Sequence, residues 1–102
     1  MKLYGESGKT YKFEGPFAST DELKDRSGVY AILCGRKVID VGEASAVKSR
    51  IKYHERKSCW RKNCKGEIRY VVYYIKYGKK PSRMKVEQDI RRHHNLYCGR
   101  KK

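Results

Sequence analysis

Residues 28–43 read GVYAILCGRKVIDVGE: two short apolar runs, 29–33 and 38–41, parted by Cys34-Gly35-Arg36-Lys37. β-Branched and aromatic residues on either side of a glycine-containing break predict a β-hairpin. The first strand opens Gly-Val-Tyr and the second closes Asp-Val-Gly. A two-residue loop at Gly35-Arg36 would pair Tyr30 with Val41 and turn Asp40 to the other face, because side chains alternate along a strand. Tyr30 and Asp40 share a face only if the register shifts by one residue or Asp40 lies past the regular ladder.

Outward from this hairpin, residues 46–57 (AVKSRIKYHERK) predict a helix. Val47 and Ile51 mark its buried stripe, and Arg50 and His54 lie one turn apart on a shared face. Residues 61–66 read as a basic loop. Residues 67–77 predict a long third strand, apolar or aromatic on both faces and therefore covered on both. A helix is expected over 82–95, with Ser82 as N-cap, Val86 and Ile90 buried, and Glu87 beside that stripe. Upstream, residues 2–13 suggest an accessory strand or hairpin, Gly15-Pro16 a break, and Ser19-Thr20-Asp21-Glu22 a capping box. The basic tail at 99–102 is expected to fray. The expected fold is α+β: a three-stranded antiparallel sheet flanked by helices, in one domain with its core at about 27–95 and an accessory segment at 1–26.

The core of such a chain is thin, and nine tyrosines against two phenylalanines and one tryptophan must supply much of its apolar area. The formal net charge is +15 over 102 residues, and residues 1–34 are neutral, so the excess belongs to 35–102. Such an excess points to a polyanion, nucleic acid first; a charged surface that serves only solubility is the plain alternative. No run reaches the roughly 18 apolar residues of a membrane span, and the N-terminus has no signal-peptide apolar core. A cytoplasmic, reducing setting is therefore expected, with Cys34, Cys59, Cys64 and Cys98 as thiols.

Gly28-Val29-Tyr30, a hairpin, Asp40-Val41-Gly42, Arg50 eight residues beyond that glycine, His54 one turn later and Glu87 on a late helix together resemble the GIY-YIG nuclease superfamily. The resemblance covers about residues 27–95. It implies a metal-dependent endonuclease acting on DNA phosphodiesters, with DNA favoured over RNA. Tyr30 matches the tyrosine lining the site and Arg50 the arginine holding the scissile phosphate, where a planar fork binds two oxygens. His54 matches a position of proton transfer. Glu87 matches the carboxylate holding one Mg²⁺ (or Mn²⁺), a hard ion needing few protein ligands. Two departures stand out. Asp40 replaces the usual tyrosine of the second motif, as a candidate base or extra ligand, and Glu43 stands where some members carry lysine. Two carboxylates there allow a second metal site, a different base, or lost chemistry in a non-catalytic nucleic-acid-binding module.

Around that set, Lys48, Arg56, Lys57, Arg61 and Lys62 are candidate backbone contacts. Trp60 either stacks a base among them or caps the core. Cys59, Cys64 and Cys98 with His54 offer four zinc ligands on paper, but the spacing is loose for a zinc module and zinc is not expected. His93-His94 point about 100° apart on a helix and form no pair on one face.

Overall fold

A computed structural model describes residues 1–98; the basic tail at 99–102 lies outside them. In chain order the strands are Lys2–Tyr4 (β1), Thr10–Lys12 (β2), Glu14–Phe17 (β3), Gly28–Cys34 (β4), Lys37–Ala44 (β5) and Ile68–Tyr74 (β6). The helices are Val47–Lys52 (α1), Lys57–Lys62 (α2) and Arg83–His93 (α3), with a 3-10 turn at Thr20–Glu22. β1 and β2 pair as the accessory hairpin. The other strands form one antiparallel sheet in the order β3-β6-β4-β5. The α+β class with antiparallel sheets stands, but the expected three-stranded sheet has four strands. The addition is β3, which contains the Gly15-Pro16 pair read as a break. Proline has no N–H for a ladder and is tolerated at a sheet edge; β3 is an edge strand whose register on β6 is irregular.

The sheet divides two apolar layers. On one face Val29, Ala31, Leu33 and Val71 meet Val86 and Ile90 of α3 and Leu3, Tyr11 and Phe13 of the N-terminal segment. Asp89 fastens that segment to α3: it accepts from the Ser7 backbone at 2.9 Å and from the Ser7 and Tyr11 hydroxyls at 2.7 Å each. On the other face Tyr30, Ile32, Ile39 and Val72 meet Val47 and Ile51 of α1 and Trp60 of α2. β6 is thus covered on both sides, as its composition requires. The 3-10 turn carries the expected capping box at Ser19 and Glu22, and Ser82 caps α3 through the Lys85 N–H.

The hairpin turns at Gly35-Arg36, with Cys34 opposite Lys37. A register shift between Ile32 and Leu33 gives β5 one extra residue, so that Ile32 faces Asp40 and Tyr30 faces Gly42. This bulge is the one-residue correction that a short loop demanded, and it puts Asp40 on the Tyr30 face. β5 also runs through Gly42 to Ala44 rather than ending there. Its outer edge is covered: the Cys98 N–H donates to the Ile39 carbonyl at 3.0 Å, and Arg91 donates to that of Val41.

The helix expected over 46–57 is two helices. α1 stops at Lys52, and α2 starts at Lys57 and takes in Arg61-Lys62, read earlier as loop. The break turns His54 inward, and the redirected second helix carries Trp60 into the core. The cysteines also differ from expectation. Cys34 is bonded to Cys64 and Cys59 to Cys98, so none of the four is a thiol. The thiol expectation rested on a reducing compartment, and the fold instead brings the sulfurs together in pairs around α2. No helix among the described residues is long and apolar enough to cross a membrane.

Candidate functional site

Tyr30 lies at mid-strand on the α1–α2 face of the sheet, and its ring passes over Gly42. A Cβ at Gly42 would stand 2.3 Å from the tyrosine hydroxyl oxygen, so the glycine is what lets the ring lie flat on β5. The two motif tripeptides therefore meet in space as one contact.

His54 closes on the tyrosine from the α1–α2 break. Its Nε2 is 2.7 Å from the Tyr30 hydroxyl, and its Nδ1 accepts the Arg56 backbone N–H at 3.0 Å. A ring that accepts at Nδ1 carries its proton on Nε2 when neutral, so Nε2–H donates to the tyrosine oxygen. The ring stays neutral because burial, then the charges of Arg56 and Arg50, push its pKa down to about 4. The indole of Trp60 backs it at 4.8 Å between centroids. With one lone pair engaged by His54, the Tyr30 hydroxyl keeps its own hydrogen to donate elsewhere. Burial pushes its pKa up to about 12, against the opposing pull of Arg50 and Arg56. Tyr30 is thus a persistent donor at neutral pH.

Arg50 comes from α1, whose start is held by Asp25: that carboxylate accepts the Ser49 N–H at 2.9 Å and the Ser49 hydroxyl at 2.6 Å. The Arg50 guanidinium lies close enough to the Tyr30 hydroxyl for its charge to pull the tyrosine pKa down and for the tyrosine to raise that of the arginine. It is also gripped by Glu55 in a two-pronged pair at 2.7 and 3.0 Å. Hydrogen bonds from Arg50 push the Glu55 carboxyl down to about 2. Nothing in the sequence marked Glu55. It stands five residues from Arg50, off the helical face the two would share, and meets it only because the chain breaks after Lys52.

Asp40 is on the Tyr30 face but fully buried. Its oxygens accept from Arg56 Nε at 2.8 Å, Trp60 Nε1 at 2.7 Å and the Val41 N–H at 2.8 Å, and Arg91 lies 3.6 Å away. A carboxylate so enclosed ties β5 to α2 and α3; it presents no lone pair to a cleft as base or ligand. Glu43, opposite Val29, faces the α3 side and is held by Arg83 Nε at 2.6 Å. The two departures thus point to opposite faces, which removes the expectation that they share a metal.

Two proposed nucleic-acid contacts move with Asp40. Trp60 is 2 % exposed and donates inward, so it cannot stack a base; it caps the core. Arg56 spends its guanidinium on Asp40. Lys48 and Lys57 are half-buried on α1 and α2, and Arg61 and Lys62 are exposed on α2, beside the Arg50 pair's face of the sheet. Glu87 is half-buried on α3, one turn from Arg83 and one turn from Arg91. Both of those arginines reach β5, at Glu43 and at the Val41 carbonyl, so the stripe carrying Glu87 runs along that strand. Among the described residues no three His, Cys, Asp or Glu side chains gather as a metal-ligand group. A hard divalent cation that keeps its waters and adds substrate phosphates needs only one carboxylate. Glu43 and Glu87 are both half-buried glutamates near β5, whereas Asp40 is fully enclosed.

Comparison with protein-family models, with curated proteins and with solved structures finds no match to this chain.

Proposed function

We propose that this protein is a metal-dependent nuclease-type domain of the GIY-YIG kind, hydrolysing phosphodiester bonds in DNA. The observation that carries the reading is the meeting of Tyr30, His54 and Arg50 over Gly42, from three separate parts of the chain. In this reading Arg50 takes the scissile phosphate on its planar fork. Tyr30, kept protonated, donates to a phosphate oxygen as charge builds there. His54 positions the hydroxyl by occupying its lone pair, and Trp60 and the Arg56 N–H fix the ring. Water is the attacking group, and the leaving oxygen departs in line. Glu87 would hold the Mg²⁺ or Mn²⁺ ion, which when bound offsets phosphate charge and activates water. Lys48, Lys57, Arg61 and Lys62 hold the flanking backbone. The DNA preference and the cytoplasmic setting belong to the same reading; there the two disulfides would have to persist as they do in intracellular hyperthermophile proteins.

A second reading keeps the surface and drops the chemistry: a nucleic-acid-binding module. It is favoured by Asp40, which stands at the family's usual candidate base and is saturated by Arg56, Trp60 and Val41. The deciding experiment is cleavage of labelled single-stranded, duplex and branched DNA with Mg²⁺ or Mn²⁺, comparing wild type with Glu87→Ala and Arg50→Ala. Metal-dependent cutting lost in both variants is the expected result. Salt-sensitive binding without cutting would replace the nuclease by the module.

A further inference from the structure

We propose that Glu55 is a specificity gate on this site: its carboxylate occupies the Arg50 fork in place of a phosphate, and a polynucleotide enters by displacing it. The inference rests on the reading of Arg50 as a phosphate holder. The geometry is that of the guest it would mimic. Both carboxylate oxygens of Glu55 face the two terminal nitrogens of Arg50, at 2.7 and 3.0 Å, which is the parallel arrangement a phosphate also takes. The pair is on the surface, with Arg50 38 % and Glu55 62 % exposed, so the partners can part without unfolding anything. Beneath it Tyr30 is 1 % exposed. A phosphate therefore reaches the tyrosine hydroxyl when Arg50 exchanges one anion for the other.

The exchange sorts ligands. A lone anion competes with a partner that is tethered five residues away and always charged. A nucleic-acid strand brings neighbouring phosphates to Lys48, Lys52 and Lys57 in the same event, and these favour its entry. The site is then selective for polynucleotides over free phosphate or mononucleotides.

An exposed pair of this kind is weak, so its removal should tighten binding about two- to fivefold. The test is the fluorescence anisotropy of a labelled duplex oligonucleotide at fixed salt. Glu67→Gln supplies the charge control, because Glu67 pairs with Arg69 at 2.6 Å with similar exposure, at the turn end of the sheet. Glu55→Gln is expected to bind about two- to fivefold tighter than wild type, with Glu67→Gln unchanged and the gain absent from the Arg50→Ala, Glu55→Gln double variant. A Glu55→Gln protein that binds like wild type or more weakly, or whose gain survives the loss of Arg50 or is matched by Glu67→Gln, overturns the gate while Arg50→Ala still weakens binding. An Arg50→Ala protein that binds as tightly as wild type overturns the site reading itself.

Discussion

Asp40 shows how one buried charge can decide what its neighbours do. Its carboxylate organises Arg56, Trp60 and the Val41 N–H around itself, and Trp60 in turn backs His54. Removing one partner of a buried, hydrogen-bonded charge pair leaves the others desolvated and unpaired. Asp40→Ala should therefore cost about 3 kcal/mol in urea unfolding, near the lower end for such pairs because Arg56 can turn to water. Asp40→Tyr, which restores the residue expected in the second motif, should destabilise as well, since a phenol overfills the space and pairs with neither Arg56 nor Trp60. His54 makes a separate claim about pH. Its folded pKa is pushed down to about 4, whereas the unfolded ring titrates near about 6.5. Between those values the unfolded chain binds the proton and the folded chain refuses it, so stability falls as pH drops through that window. From about pH 6.5 to 5 the loss should be about 2 kcal/mol. Urea unfolding of wild type against His54→Gln at pH 5 and 7 checks it: the variant should lack that share of the slope, and parallel curves would place the histidine's proton elsewhere.

α2 is six residues long and too short to hold a helix by itself. What holds it is the Trp60 anchor and two covalent ties, Cys64 to the end of β4 and Cys59 to the C-terminal segment on the edge of β5. Each disulfide closes a span of 30 or 39 residues and should contribute about 2–4 kcal/mol. Thermal unfolding with and without dithiothreitol is expected to show a marked fall in Tm on reduction, and an unchanged Tm would mean that the sulfurs are unpaired in solution. α2 is also where the sequence was least informative. Short runs of β-branched and aromatic residues made β4, β5 and β6 legible, and Ser82 with Val86 and Ile90 made α3 legible, because those signals are local. The bulge at Ile39, the turn after Lys52 and the cysteine partners are not local. They are set by which side chain the core accepts: Asp40 inward to meet Trp60, His54 inward to meet Tyr30. For the same reason the spacing of Tyr30, Gly42, Arg50 and His54 marked the candidate site, yet gave no sign of Glu55, left Trp60 open between base stacking and the core, and assigned to Arg56 an outward role that Asp40 takes from it. β3 was hidden by its Gly-Pro pair, which reads as a break unless the strand is known to lie at an edge.

The whole +15 charge is carried by residues 35–102, the part of the chain that builds the α1–α2 face and α3. The two sides of the sheet are not equivalent, however. On the α1–α2 side Lys48, Lys57, Arg61 and Lys62 lie on the two helices that flank the break after Arg50; on the other, Lys85 and Arg92 of α3 stand near the Asp89 fastening to the N-terminal hairpin. If the first side is the nucleic-acid surface, binding to duplex DNA should engage about five phosphates through Arg50 and those four cations, and log Kd should rise with log salt with a slope of about 4.5. Replacing Lys57, Arg61 and Lys62 together by Gln should cut that slope by about 3, while Lys85→Gln with Arg92→Gln, a smaller change in charge on the opposite side, should leave it within about 1 of wild type. A slope that instead tracks only the number of charges removed, wherever they lie, would mean that the protein is a diffuse polycation for its partner. The Tyr30–His54–Arg50 cluster would then have no privileged place on the binding surface, and its chemistry would have to be sought on another substrate.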